Sequence, residues 1–294
     1  MMKRYVLSCI VLLTILSCEK TINIKTDITA AKLVVDAEIE NDLPPTVVLS
    51  SSIGYYATID SSIITNSFIH NAIVTISDGS KTHQLKEYKL PAASGFFYYY
   101  SSDPSAPTTY MKGAFGKQYQ LKITYQNQVY SASTGIPELT KKIDSIWWKP
   151  LSNFPDSPQV VVMTKVTDPP GLGNYIRYFT KQNSAPFFPG FNSVFDDQIV
   201  DGKTYSIQID RGVDRNQKID RANYGYFLKG DTATIKLCNI NRATYEFWRT
   251  WEYAFQSVGN PFSSPGKVIG NIDNGALGSF CGYAAQYKAL IIPK

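Results

Sequence analysis

From Lys32 onward the chain is written in short runs where apolar and polar residues alternate, broken by Gly, Pro, Asn or Asp. Such period-two alternation predicts half-buried strands rather than helices. "KLVVDAEI" and "PTVVLSSS" read as strands on either side of a turn at Asn41-Asp42-Leu43-Pro44-Pro45, where the prolines cannot donate to a ladder. "AIVTISDGSKTHQLKEY" predicts a hairpin around Asp78-Gly79. "KQYQLKITYQNQVYSAST" predicts a second hairpin with Gln126-Asn127 at its turn. Tyr119, entering a strand after Gly116-Lys117-Gln118, is placed to hydrogen-bond back across a sandwich corner.

Ile136-Pro137 closes that unit and "ELTKK" is a polar connector. The strand pattern resumes with "IDSIWWK", "QVVVMTKV", "YIRYFTK", "KTYSIQI" and "TATIKL", and a final strand pair is expected between Gly278 and Pro293. One segment differs. In residues 241–257 Tyr245, Trp248, Trp251 and Phe255 recur at three- and four-residue spacing behind Asn241, a good N-cap, so a helix is predicted there with its aromatic stripe packed on a sheet. The expected fold is mainly β: an N-terminal immunoglobulin-like β-sandwich over residues 18–140, then a second β-rich sandwich or barrel over 141–294 that carries the aromatic helix.

The first residues follow a different pattern. Lys3 and Arg4 precede twelve mostly apolar residues, Tyr5 to Leu16, too short for a membrane-spanning helix of about 20 residues. The run breaks at Ser17-Cys18 and turns polar at Glu19-Lys20, the order of a signal peptide with a small residue at the cut. Ile15-Leu16-Ser17-Cys18 resembles the lipobox of bacterial lipoproteins, so residues 1–17 are expected to be removed and Cys18 acylated, Cys9 leaving with the leader. The alternative is an ordinary signal peptide with a chance cysteine. Acyl chains on Cys18 would tether the body to a bilayer at about 0.8 kcal/mol per buried methylene.

Across nearly the whole mature chain the sequence resembles the DUF4249 family of Bacteroidota lipoproteins. The resemblance is carried by "CEKTINI", "KLVVDAEIEND", "GKQYQLKITYQNQVYSASTGIPELTKKIDSI" and above all "YEFWRTWEYAFQSVGNPFSSPGKVIGNIDNGALGSFCGY". It implies an outer-membrane lipoprotein, often encoded near TonB-dependent transporters, and it transfers no catalytic or ligand motif.

Composition narrows the chemistry. Hydrophobic residues make up 44% and charged residues 18%, which is globular. Lys plus Arg exceed Asp plus Glu by 29 − 24 = 5, and removal of Lys3 and Arg4 leaves 27 − 24 = 3, with no dense basic cluster, so nucleic acid is not an expected partner. Cys238 and Cys281 lie in strand-like segments and are read either as one disulfide or as buried free thiols. His70 and His83 are the only histidines, His83 being expected to face solvent, and no zinc-protease, nucleophile-elbow or phosphate-loop motif occurs. No enzymatic activity and no cofactor are therefore expected. Two acidic stretches, Asp196/Asp197/Asp201 and Asp210/Asp214/Asn216/Asp220, offer oxygen ligands for calcium, but neither has EF-hand spacing and the second is interleaved with Arg and Lys, so solvated loops are the preferred reading.

The last feature is "GFFYYYSS". A strand there places Phe96, Tyr98 and Tyr100 on one face and Phe97 and Tyr99 on the other, so these five residues form either a partner or ligand surface or a strand sandwiched between two domains. "SAPFFPGF", with Phe187 to Phe191, is a second aromatic loop of the same ambiguity. Taken together, the expected function is a non-enzymatic outer-membrane lipoprotein, exposed at the cell surface, that serves as accessory or ligand-capture subunit of a TonB-dependent transporter barrel. A surface adhesin or structural β module is the alternative, and a surface hydrolase the third.

Overall fold

The computed structural model describes residues 30–54, 60–92, 95–220, 222–258, 260 and 266–294. The leader and Cys18 lie outside the described residues. In chain order the elements are β1 (Leu33–Glu40), β2 (Thr46–Ser51), α1 (Ser61–Ser67), β3 (Ile73–Ser77), β4 (Thr82–Gln84), β5 (Lys86–Ala92), β6 (Gly95–Ser101), β7 (Gln118–Tyr125) and β8 (Gln128–Gly135). After the connector come β9 (Lys142–Pro150), β10 (Gln159–Thr167), β11 (Tyr175–Gln182), β12 (Phe188–Phe195), β13 (Thr204–Ile209), β14 (Phe227–Leu228), β15 (Thr232–Ile240), α2 (Arg242–Ser257) and β16 (Leu277–Ile291). The chain is mainly β, sandwich-like, and without a closed barrel among the described residues.

Local chemistry sets the hairpins. Gln126 and Asn127 both take positive φ, 47° and 61°, as a two-residue type I′ turn requires, and β7 pairs with β8 from Gln118↔Gly135 to Tyr125↔Gln128. Asp78 accepts from the N–H groups of Ser80 and Lys81, closing the β3–β4 turn. Tyr119 is buried, and its hydroxyl accepts the N–H of Ala114 at 2.8 Å, the corner bond expected from sequence. The Asn241 side chain accepts the Thr244 N–H at 2.8 Å and starts α2.

Eight strands, in the order β12-β11-β15-β16-β1-β2-β6-β5, form one sheet. Its centre is a parallel pairing of the first strand with the last, from Val34↔Leu277 to Glu40↔Tyr283. The pair of strands expected between Gly278 and Pro293 is instead one continuous strand: its first half lies along β1 and its second half along β15, from Asn239↔Ala284 to Thr232↔Ile291. No turn residue divides it. Gly282 is there because the backbone of Gly135 approaches so closely that a Cβ would lie 2.2 Å from its carbonyl oxygen.

One face of this sheet carries both hydrophobic cores. The sheet β4-β3-β7-β8 packs on the β1, β2 and β16 end, burying Val35, Ile39, Val74, Leu121, Ile123 and Phe280. The sheet formed by β9, β10, β13 and β14 packs on the β11–β15 end, burying Val160, Val162, Phe227, Ile235 and Leu237. The boundary expected at residues 140/141 is therefore a change of core within one body: residues 31–294 cluster as a single compact unit. At that seam the sheet face turns polar. Asn239 accepts the Lys141 N–H and donates to the Lys141 carbonyl, while Gln286 accepts the Ile143 N–H and also donates to the Lys141 carbonyl.

The opposite face carries α2, which buries Phe247 against Cys238, Ile240, Cys281 and Tyr283. Both cysteines are buried and free, so no bridge forms. The register explains why: Cys238 stands opposite Ala285, four residues along β16 from Cys281, roughly 13 Å at strand rise, beyond the ~7 Å Cα limit for a disulfide. Burial pushes the Cys238 thiol up to about 12 and raises that of Cys281.

Two measurements check this architecture. Alkylation in denaturant without reductant is expected to label both Cys238 and Cys281, whereas a bridge would leave both unlabelled until reduced. Phe280→Ala, on the last strand but inside the N-terminal core, is expected to destabilise the protein by about 3–5 kcal/mol in urea titration; an effect under about 1 kcal/mol would contradict that packing.

Candidate functional site

The aromatic segment forms β6. It pairs with β5 along its whole length, from Ala92↔Gly95 to Lys86↔Ser101, yet meets β2 only at Thr46↔Ser101 and Val47↔Tyr100. Beyond that point β6 diverges from β2, whose edge is met instead by Phe68 and Ile69, so residues 95–99 leave the sheet with β5 as a two-stranded ribbon. Exposure follows this geometry rather than the strand's two faces: Tyr100 at the base is buried, Tyr98 and Tyr99 are half-buried, and Phe96 and Phe97 are exposed at 42% and 39%. Leu90, opposite Phe97, is 50% exposed. The segment is thus not sandwiched between two lobes.

Ring contacts stiffen the ribbon. Tyr88 stacks on Tyr99, Phe97 lies parallel to Tyr99, and Phe68 meets both Phe97 and Tyr98 at 5.6 Å. At the base, His70 Nδ1 lies 2.5 Å from Glu87 Oε1 and its ring meets Tyr98 edge-on. The Tyr100 hydroxyl accepts the Ala72 N–H and approaches Glu87, and burial raises its pKa to about 12.

The other histidine, His83, is buried rather than solvent-facing, with Nδ1 2.9 Å from the Thr109 carbonyl oxygen. Alternation along β4 sends Thr82 and Gln84 outward and His83 inward.

The acidic loops separate into two kinds. Oxygens of Asp168, Asp197 and Asp201 come within 4.8 Å of one another, but each carboxylate already has a partner. Asp197 accepts the N–H groups of Gly173 and Asn174, which hold its carboxyl below the usual range against the effect of burial, and Asp201 accepts the Gly171 N–H. Asp168 pairs at 2.5 Å with the ammonium of Lys141, both side chains being fully buried. Lysine thus supplies the cation, and the cluster clamps two loops at the seam. Asp214 and Asp220 each accept N–H groups of their own turns, and Asp210 accepts from Gln208, so among the described residues the second loop forms no convergent ligand set.

The loop "SAPFFPGF" becomes the start of β12. Pro189 is tolerated because β12 is an edge strand. Phe187 meets the Tyr287 ring and Phe191 meets the Tyr224 ring, both between 5 and 6 Å.

Sequence reasoning missed a buried polar network under α2. Glu252 accepts the Ser193 hydroxyl at 2.5 Å, the Ser193 N–H at 3.0 Å and Arg215 at 2.8 Å. Arg177 donates to Ser193 and to the Tyr283 hydroxyl, and its guanidinium lies 3.4 Å from the Trp248 ring centre. A serine beside a carboxylate resembles part of a hydrolytic site, yet Ser193 has no exposed surface. The network docks the helix. Its only sequence signal was Glu252 lying among the aromatic positions of α2.

Also missed was a cavity of about 260 Å³ inside the C-terminal sandwich, between β10 and β13 on one side and β11 and β15 on the other. Val166, Ile176, Tyr178, Ile207 and Leu237 line it. No local pattern announces a gap between two sheets, since each strand alternates as a packed one would.

The chain belongs to the family described as "Domain of unknown function (DUF4249)", whose model matches residues 19–289. No curated protein matches it. Among solved structures it is similar to one titled "Biofilm associated protein - BSP domain", at 11% identity and a TM-score of 0.19. That likeness covers 90% of this chain and 29% of the other, so the chain spans under a third of that structure, and at such a score it bears on neither fold nor function.

Replacing Lys141 by Ala is expected to leave Asp168 buried without its partner and to cost about 3–5 kcal/mol in urea titration. A near-neutral result would mean that the pair is not closed off from solvent.

Proposed function

We propose that this DUF4249 chain is a non-enzymatic lipoprotein of the outer membrane, tethered at the cell surface by acylated Cys18, that acts as accessory and ligand-capture subunit of a TonB-dependent transporter barrel. The observation that carries the reading is the β5–β6 ribbon. Leu90 and Phe97 are exposed on one face of the ribbon and Phe96 on the other, with Tyr88 and Tyr99 stacked alongside Phe97. Rigid aromatic anchors lose little conformational freedom on binding and are enriched at the energetic centres of protein interfaces. Apolar side chains exposed together on one element mark an interaction site, unlike those exposed singly.

Two further features support the reading. The Ile15-Leu16-Ser17-Cys18 sequence supplies a tether, and the family resemblance supplies the transporter as partner. The one constellation that looks catalytic, Ser193 with Glu252, is sealed under α2, which favours a binding role over hydrolysis.

The test is mild detergent extraction of tagged protein from native membranes, with mass spectrometry of what co-purifies. A stoichiometric TonB-dependent barrel is expected. The double variant Phe96→Ser/Phe97→Ser should lower its recovery about 30-fold, corresponding to a single hot spot of about 2 kcal/mol, while Cys18→Ser should release the protein from the membrane. Recovery of the lipoprotein alone, under conditions that preserve other barrel complexes, would contradict the proposal.

A further inference from the structure

We propose that the interior of the C-terminal sandwich is a binding site for a small apolar amine, a molecule with one ring or a short alkyl chain and a protonated nitrogen at one end, which enters between β12 and β13. The biological use of this site, though not its existence, rests on the ligand-capture reading.

The argument starts from packing. Protein interiors are filled to the density of organic crystals, so a gap of about 260 Å³ between two sheets is not ordinary slack. It lies just below the ~300 Å³ at which ligand pockets commonly begin, which limits the occupant to something small.

The gap is also open on one side. β12 is the edge of the eight-stranded sheet and β13 the edge of the four-stranded sheet, and among the described residues no ladder joins them, the chain reaching β12 only beyond β13, where the Val213 N–H donates to the Pro189 carbonyl. The exposure of β13 records the opening. Ile207 stands opposite Thr164 in the pairing of β10 with β13, and opposite residues of an antiparallel pair share a face. Thr164 is 2% exposed, whereas Ile207, an inward-facing isoleucine in mid-strand, is 40% exposed. Phe195 and Ile199, across the mouth, are likewise exposed although they line the cavity. An isoleucine pointed into a sandwich and still reached by solvent lacks the neighbour that would cover it.

The polar groups at the mouth set the ligand's charge. Asp210 lines the cavity and accepts from the Gln208 amide, while Asp196, also in the lining, turns its carboxylate to the Tyr245 hydroxyl of α2 on the other face of the sheet. Neither carboxylate is ion-paired among the described residues. Arg211, next to Asp210 in the chain, donates to the Tyr226 carbonyl and to Gln182, and Lys203 donates to the Ile199 carbonyl. Inside, the Tyr178 phenol, parallel to the Phe195 ring at 6.1 Å, is pushed well above its ordinary value, first by burial and then by the charges of Asp210 and Glu252, with Arg215 opposing. The Asp210 carboxylate beside an aromatic wall favours a cation, and the apolar floor of Ile176, Ile235 and Leu237 favours a hydrocarbon body.

Purified protein, away from any membrane or transporter, is titrated by calorimetry with 2-phenylethylamine and separately with 3-phenylpropionate, which has a similar body and the opposite charge. The amine is expected to bind saturably at one site, and the carboxylate at least about ten-fold more weakly. Ile207→Trp, which fills the gap from its open side, should abolish binding with an unchanged or raised melting temperature. The variant Asp210→Asn, at a half-buried position of the mouth, should erase the preference for the amine. The proposal is overturned if the amine shows no saturable binding up to millimolar concentration, if the two probes bind alike, or if folded Ile207→Trp binds as well as the parent. Because no transporter is present, these outcomes are independent of whether a barrel co-purifies from membranes.

Discussion

The parallel pairing of β1 with β16 is the contact on which the rest of the structure depends. A parallel pair cannot be closed by a hairpin, so it needs a long crossover. Here nearly the whole chain is that crossover, from Glu40 to Leu277. Once the two strands are in register, β2, β6 and β5 extend the sheet on one side and β15, β11 and β12 on the other. Both cores then fall on one face, and the seam between them must be satisfied by polar groups because the chain crosses there. Asn239, Gln286 and the Lys141–Asp168 pair meet that demand. A buried ion pair is weak evidence for stability but strongly resists removal of one partner, which makes it suited to fixing where the connector runs.

The same sheet gives the molecule its functional layout. Its β5 edge continues as the aromatic ribbon, and its β12 edge borders the mouth of the C-terminal cavity. In the proposed function, partner contact and ligand capture thus occupy opposite edges of one continuous sheet. Helix α2 covers the face between them and is held there by Arg177, Arg215, Glu252 and Tyr283, so a group that looks reactive serves to lock a helix in place.

What the sequence made legible was local. The type I′ turn at Gln126-Asn127, the Tyr119 corner and the Asn241 cap each depend on a few neighbouring residues, and each appears where the pattern puts it. The exposed ring tip was legible as one of two alternatives, because five successive aromatics exceed what one core face can take. The rest depends on distant pairing. Nothing within "GSFCGYAAQYKAL" says that half of it lies on β1 and half on β15, and the separation of Cys238 from Cys281 follows from that stagger alone. The burial of Lys141, His83 and Glu252 likewise depends on what folds over them, as does the gap beside Ile207. "SAPFFPGF" was misleading for a physical reason: proline argues against a strand only where both edges are paired.

Equilibrium unfolding in urea tests most directly whether the β1–β16 pairing joins the two halves. Tryptophans 147, 148, 248 and 251 all lie after the connector, so their fluorescence reports the C-terminal half. Amide hydrogen exchange at Leu121 and Ile123 in β7 reports the N-terminal core. If the shared sheet makes one cooperative unit, both probes lose structure at the same urea concentration. Two separated midpoints, with β7 still protected after the tryptophans have unfolded or the reverse, would contradict it.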